Sequence, residues 1–176
     1  MSQQQYAIAQ LNQMSREEFT AALGEIWEDT PEIAERAWDN RPFEHLDALY
    51  RSMVAVVERM SDREQLELIQ AHPDLAGKAK MAEASVREQA GAGLDRLSEA
   101  EYRHFQNLNQ AYKDKFGFPF IIAVKNHTKE SILAAFAARL QNDRQQERQQ
   151  ALEEICKIAK LRLDAKVDTR DPLSGS

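Results

Sequence analysis

Between Phe43 and Met60 the apolar residues Leu46, Leu49, Tyr50, Met53, Val56, Val57 and Met60 recur three and four positions apart, almost without interruption. That spacing follows the 3.6-residue turn of an α-helix and lines all of them along one stripe. A stripe this broad marks a core helix, and the neighbouring chain is punctuated for helices as well.

Ser15 with Glu18, Ser61 with Glu64 and Ser98 with Glu101 are capping-box pairs, each placed ahead of residues at helical spacing. Phe19, Leu23, Ile26 and Trp27 follow the first. Thr30-Pro31 reads as a cap and a first helical position, opening a short piece that Trp38 closes. The helix after Ser61 should stop at His72, because Pro73 disfavours helical backbone in the residue ahead of it. Tyr102, Phe105, Leu108, Tyr112 and Phe116 share a face, and Gly117 suits a left-handed helix end. Thr128 caps a helix that turns Ile132, Leu133, Phe136 and Leu140 inward, and the last long helix is expected from about Asp143 to Leu163. Propensity alone would make FGFPFIIAV a strand. With no partner strand in the chain, a buried extended segment lining a pocket is the better expectation. The fold class is therefore all-α: one compact domain of about seven to nine helices over 1–165, orthogonal or bundle-like, with a frayed tail at 166–176.

The 176 residues are enough for a self-sufficient core, and a net charge of -6 argues against nucleic acid or an anionic membrane as partner. Cys156 is the only cysteine, so no intrachain disulfide can form. No apolar run approaches the roughly 20 residues of a membrane span. The start MSQQQYAIAQ does not read as a signal peptide. A cytoplasmic protein is expected.

Reactive side chains gather in residues 72–95, HPDLAGKAKMAEASVREQAGAGLD, where no apolar period accounts for the sequence. His72 at a helix exit could be a proton carrier or only a helix-end ligand of the backbone. Ser85 and Glu88 could act on a ligand, yet Ser-x-x-Glu is itself a capping-box match. Gln89 could be plain helix surface. Gly91 and Gly93 lack the Lys-Ser/Thr of a phosphate loop, so nucleotide binding is set aside. His72, Asp74 and Glu88 could hold a divalent ion in a metal-dependent hydrolase, but no HxH, HExxH or CxxC spacing supports one, and no metal is expected. Arg162 continues the stripe Ala151, Ile155, Ile158 of the last helix. It must snorkel, pair with a carboxylate or face an anion, unless it is simply a cation suited to a helix carboxyl end.

Four blocks in order, HPDLAGK (72–78), SVREQAGAGLDRLS (85–98), LNQAYKDKFGFPFIIAVK (108–125) and KIAKLRL (157–163), resemble the family of 2-oxo-4-hydroxy-4-carboxy-5-ureidoimidazoline (OHCU) decarboxylases. The resemblance implies an all-helical enzyme of urate breakdown that uses no cofactor, forms homodimers and releases carbon dioxide to leave (S)-allantoin. It assigns His72 and Glu88 to catalysis. It assigns substrate contacts to Pro73, Ser85, Val86, Arg87, Glu88 and Gln89, to Phe120, Ile121, Ile122, Ala123 and Val124, and to Arg162. A non-catalytic helical module that binds a ligand or partner is the alternative of a different class.

Overall fold

A computed structural model describes residues 5–76 and 83–168. Among them run nine α-helices: α1 (Ile8–Asn12), α2 (Arg16–Leu23), α3 (Glu32–Ala37), α4 (Leu46–Arg59), α5 (Asp62–Gln70), α6 (Glu83–Gly91), α7 (Glu99–Phe116), α8 (Lys129–Arg139) and α9 (Arg144–Lys166). Among the described residues the β-structure is a pair of two-residue parallel strands, β1 (Tyr6–Ala7) and β2 (Val167–Asp168). The chain divides into two compact units, one from Met1–Gln65 with Ile158–Ser176 and one from Leu66–Lys157.

In the first unit α4 buries Leu46, Leu49, Met53 and Val57, as its period requires. Its cap is His45, whose Nδ1 accepts the Ala48 N–H at 3.2 Å. Ser15 and Glu18 form the expected capping box of α2, a motif whose cap residue alone stabilises by about 1 kcal/mol. Helix α2 ends at Leu23, and its C-cap Gly24 lies so close to the preceding turn that a Cβ there would stand 2.5 Å from the Thr20 carbonyl oxygen. Ile26 and Trp27 are thus buried from turns and not from the helix. Trp27 donates its indole N–H to Met53 Sδ at 3.4 Å. Thr30 caps nothing: its hydroxyl donates to the Glu28 carbonyl, and Pro31 takes the N-cap position of α3. Trp38 opens a 3₁₀ turn, Trp38–Asn40, ahead of a cis Arg41–Pro42 bond.

The chain end departs from expectation. Helix α9 continues three residues past Leu163, and Val167, fully packed, pairs with Tyr6 while Asp168 pairs with Ala7. Residues 166–168 are therefore not a frayed tail, because Lys166 still belongs to α9 and backbone pairing with the amino-terminal segment holds Val167 and Asp168; the rest of the expected tail lies outside the described residues.

The second unit is built around aromatic side chains. Tyr112 lies 4.5 Å from Phe116 and 5.3 Å from Phe120, and Phe120 stacks on Phe136 at 3.8 Å. Helix α7 supplies several of these, started by the Ser98–Glu101 capping box and ended by Gly117 at φ 80°, where a Cβ would be strained. Its buried face is Phe105, Asn109, Tyr112 and Phe116, with Asn109 inside and Leu108 only half-buried. Helix α8 begins at a Thr128–Ser131 capping box. FGFPFIIAV forms no strand: Phe116 ends α7, and from Phe118 to Val124 the chain is a largely buried irregular segment ahead of α8.

Candidate active site

The expected site residues of the second unit sit on two irregular segments and one helix. His72 follows α5, where its backbone N–H bonds the Ile69 carbonyl at 3.2 Å and its Nδ1 lies 2.8 Å from the Leu68 carbonyl oxygen. The ring is buried, 8% exposed. A carbonyl only accepts, so Nδ1 carries the proton and Nε2 is the nitrogen that can exchange one. This is the helix-end contact weighed above, and it also orients the imidazole. The two readings of His72 are compatible.

Beyond Pro73, Asp74 pairs with Lys113 at 2.8 Å. Ala76 adopts φ 57°, a left-handed conformation unusual for a residue with a Cβ. Its N–H donates to Gln89 Oε1 at 2.9 Å and its carbonyl accepts from Gln106 Nε2 at 3.2 Å. Gln89 is buried and so is not plain helix surface. Residues 77–82, including the end of the HPDLAGK block, lie outside the described residues.

Helix α6 is already formed at Glu83, so Ser85 is its third residue. An N-cap needs non-helical backbone, and the capping-box reading of Ser85 and Glu88 is thereby overturned. Val86 and Arg87 are exposed, and Glu88 is half-buried one position before Gln89. With Asp74 committed to Lys113, a metal triad of His72, Asp74 and Glu88 loses one ligand; among the described residues no group of three His, Cys, Asp or Glu could hold a metal.

In the segment after α7, Phe120, Ile121, Ile122 and Val124 are buried and Ala123 is half-buried. The Ile121 carbonyl accepts from Arg139 Nη1 at 2.6 Å, and the Ala123 N–H donates to Glu154 Oε1 at 3.0 Å. Arg139 also bonds Glu147 through Nε at 2.7 Å and lies 4.3 Å from the Phe120 ring centre. Glu147, wholly buried, accepts further from the Tyr112 hydroxyl at 2.6 Å and from Asn142 at 2.8 Å. Burial first, and the bond to Glu147 second, push the Tyr112 phenol well above its usual range.

Arg162 belongs to the first unit. It is buried, with Nη1 2.9 Å from Glu28 Oε2 and 3.3 Å from the Glu25 carbonyl oxygen. Of the four roles open to it in sequence, pairing with a carboxylate is the one observed; an exposed helix-end cation is not.

Sequence reading missed Gln106, Asn109, Arg139, Glu147 and Glu154. A signal existed for part of this set: Gln106, Asn109 and Lys113 are three and four apart, a polar stripe beside the aromatic one. Nothing local distinguishes buried Glu147 or Glu154 from the exposed Glu153 of the same helix.

The sequence model of the OHCU decarboxylase family matches residues 12–164. The chain belongs to that family. A 2-oxo-4-hydroxy-4-carboxy-5-ureidoimidazoline decarboxylase from Halalkalicoccus jeotgali is 44% identical over 164 residues, 93% of each chain. The uric acid degradation bifunctional protein of Bacillus sp. (strain TB-90) is 49% identical over 156 residues, which are 89% of this chain and 31% of that one. The crystal structure of an (S)-allantoin synthase superposes with a TM-score of 0.78 at 35% identity, covering 94% of this chain and 55% of the other. Membership in the family agrees with the helical architecture, and no helix among the described residues is long and apolar enough to cross a membrane.

Proposed function

We propose that this chain decarboxylates 2-oxo-4-hydroxy-4-carboxy-5-ureidoimidazoline to (S)-allantoin and carbon dioxide, with His72 and Glu88 as its catalytic pair and no cofactor. Family membership over residues 12–164 supports the reaction. The observation that supports His72 is its imidazole, buried and held by Nδ1 on the Leu68 carbonyl, an arrangement suited to proton exchange at Nε2; Glu88 is proposed on the family match.

The substrate carries its own electron sink. When the bond from C4 to the carboxylate breaks, its electron pair forms a C4–C5 double bond, and the former C5=N pair settles on nitrogen, which takes a proton. The resulting enol then gains a proton at C5 and loses one from the C4 hydroxyl, leaving the carbonyl of allantoin. Protonation from one side alone sets the S configuration. An imidazole suits that step because its ordinary pKa lies near neutrality. The carboxylate of Glu88 orients the substrate hydroxyl or the ring of His72 and favours the imidazolium. A rate gain of about 10⁶-fold needs about 8 kcal/mol, within reach of positioning plus a preorganised proton donor.

Pro73, Ser85, Val86, Arg87, Gln89 and the segment Phe120–Val124 are proposed as substrate contacts on the family match, as is Arg162. Arg162→Lys keeps the charge but loses the planar fork, so KM should rise; an unchanged KM would confine Arg162 to its pairing with Glu28. The chain is further proposed to work in the cytoplasm as a homodimer, which light scattering on the purified protein would test for the dimer.

The decisive experiment incubates the protein with freshly generated OHCU and follows (S)-allantoin by circular dichroism. Turnover should survive chelation and dialysis. His72→Asn should lower kcat by about 10²–10⁴-fold. Glu88→Gln should abolish activity in a protein that melts normally, and the double variant should be hardly worse than either single one. Full activity in Glu88→Gln would end the proposed mechanism.

A further inference from the structure

Helix α7 carries, beside its aromatic face, a stripe of three polar side chains aimed at the segment that follows His72. Gln106, Asn109 and Lys113 are spaced so that they share one face. Each takes a different residue, in reverse order: Gln106 Nε2 donates to the Ala76 carbonyl at 3.2 Å, Asn109 Nδ2 to the Leu75 carbonyl at 2.8 Å, and Lys113 Nζ to the Asp74 carboxylate at 2.8 Å. One turn further, the Gly117 carbonyl accepts from Gln70 Nε2 at 3.2 Å. The fastening therefore brackets His72 on both sides. Pro73 joins His72 to the held residues through a fixed φ and restricts His72 in turn, so a shift of 74–76 passes to the imidazole. Ala76, strained at φ 57°, is also tied to α6 through Gln89, next to Glu88.

Asn109 shows that this stripe does more than fill space. It is 2% exposed, and its Oδ1 has no hydrogen-bond partner among the described residues. A buried acceptor left unpaired weakens a fold, so packing alone favours an apolar residue of that size. What the amide provides in return is the hold of Nδ2 on Leu75.

We infer that Gln106, Asn109 and Lys113 are positioning residues that set the orientation of the His72 imidazole for proton transfer. The inference rests on the function proposed above, and its test separates the two. The full chain, labelled with ¹⁵N-histidine, is compared with Asn109→Leu, Lys113→Gln and the control Gln110→Ala, whose exposed side chain bonds Asp114 on the same helix. In the wild-type chain and the control the His72 resonances should report the Nδ1–H tautomer. In Asn109→Leu they should report a mixture of tautomers and a displaced titration midpoint, with kcat down about tenfold to a hundredfold, the size expected of a misplaced catalytic group. Lys113→Gln should change both in the same direction by less. If Asn109→Leu loses its helical circular dichroism, Lys113→Gln and Gln106→Leu, at part-buried positions, decide in its place. The imidazole spectrum is the arbiter: His72 resonances unchanged in the folded variants overturn the inference, whatever kcat does. A wild-type chain that does not turn over OHCU would overturn the proposed function, and the spectra would still judge the positioning.

Discussion

Segments 71–76 and 117–124 both lack regular structure and both carry expected site residues, yet their polar groups end on different kinds of partner. The first is held mainly by uncharged amides, Gln89, Gln106 and Asn109, with one ion pair at its half-exposed edge. The second is held by charges taken out of water: Arg139 on the Ile121 carbonyl, with Glu147 behind it, and Glu154 on the Ala123 N–H. A neutral hydrogen bond contributes about 0.5–1.5 kcal/mol, and its loss is local. Removing one member of a buried ion pair strands the other and costs about 3–5 kcal/mol. The segment that presents His72 can therefore be adjusted by substitution, whereas segment 117–124 is all-or-none.

The sharpest way to break this comparison is Arg139→Met. It should destabilise the protein by about 3–5 kcal/mol because Glu147 is left charged and buried, and Arg139→Met with Glu147→Leu should recover most of that. Denaturant unfolding measures both, and a single variant costing no more than the double one would show that the pair is not what holds the segment. Glu154→Gln comes next. Glutamine still accepts from the Ala123 N–H but loses its charge toward Lys157, 2.7 Å away, so a loss of about 1 kcal/mol is expected by the same assay. Gln106→Leu should cost about 0.5–1.5 kcal/mol at most, its effect appearing in kcat more than in melting temperature.

The smallest effect concerns the start of α7, the helix that carries Gln106, Asn109 and Lys113. Glu101 is held down to a pKa of about 2, first by its hydrogen bond with Lys129 and then by the Ser98 N–H. A depressed folded value means the contribution is fully present above the ordinary carboxylate pKa of 4.5 and disappears as pH falls toward about 2. The difference in melting temperature between wild type and Glu101→Gln should therefore be constant from pH 7 to about 5 and shrink below it. A difference that grows on acidification would contradict the sign.

Much of this was legible in the chain because its causes are local. Three capping boxes, the Thr128 cap, the stop before Pro73 and the left-handed Gly117 depend on residues within a turn of one another, and a 3.6-residue period is visible without knowing what covers it. His72, Glu88 and the FGFPFIIAV segment stood out because helical periodicity fails to explain them. Tertiary structure decided the remainder. Only in three dimensions does Ser85 prove to lie inside a helix, Asp74 to be taken by Lys113, and Arg162 to be paired with Glu28. Val167 and Asp168 are ordered by the distant Tyr6 and Ala7, a pairing no local rule contains. The same holds for Glu147 and Glu154: a glutamate reads alike on a wet or a dry face of a helix. Which face is dry depends on what packs there, and here that includes an arginine eight residues earlier and a backbone amide thirty-one residues before.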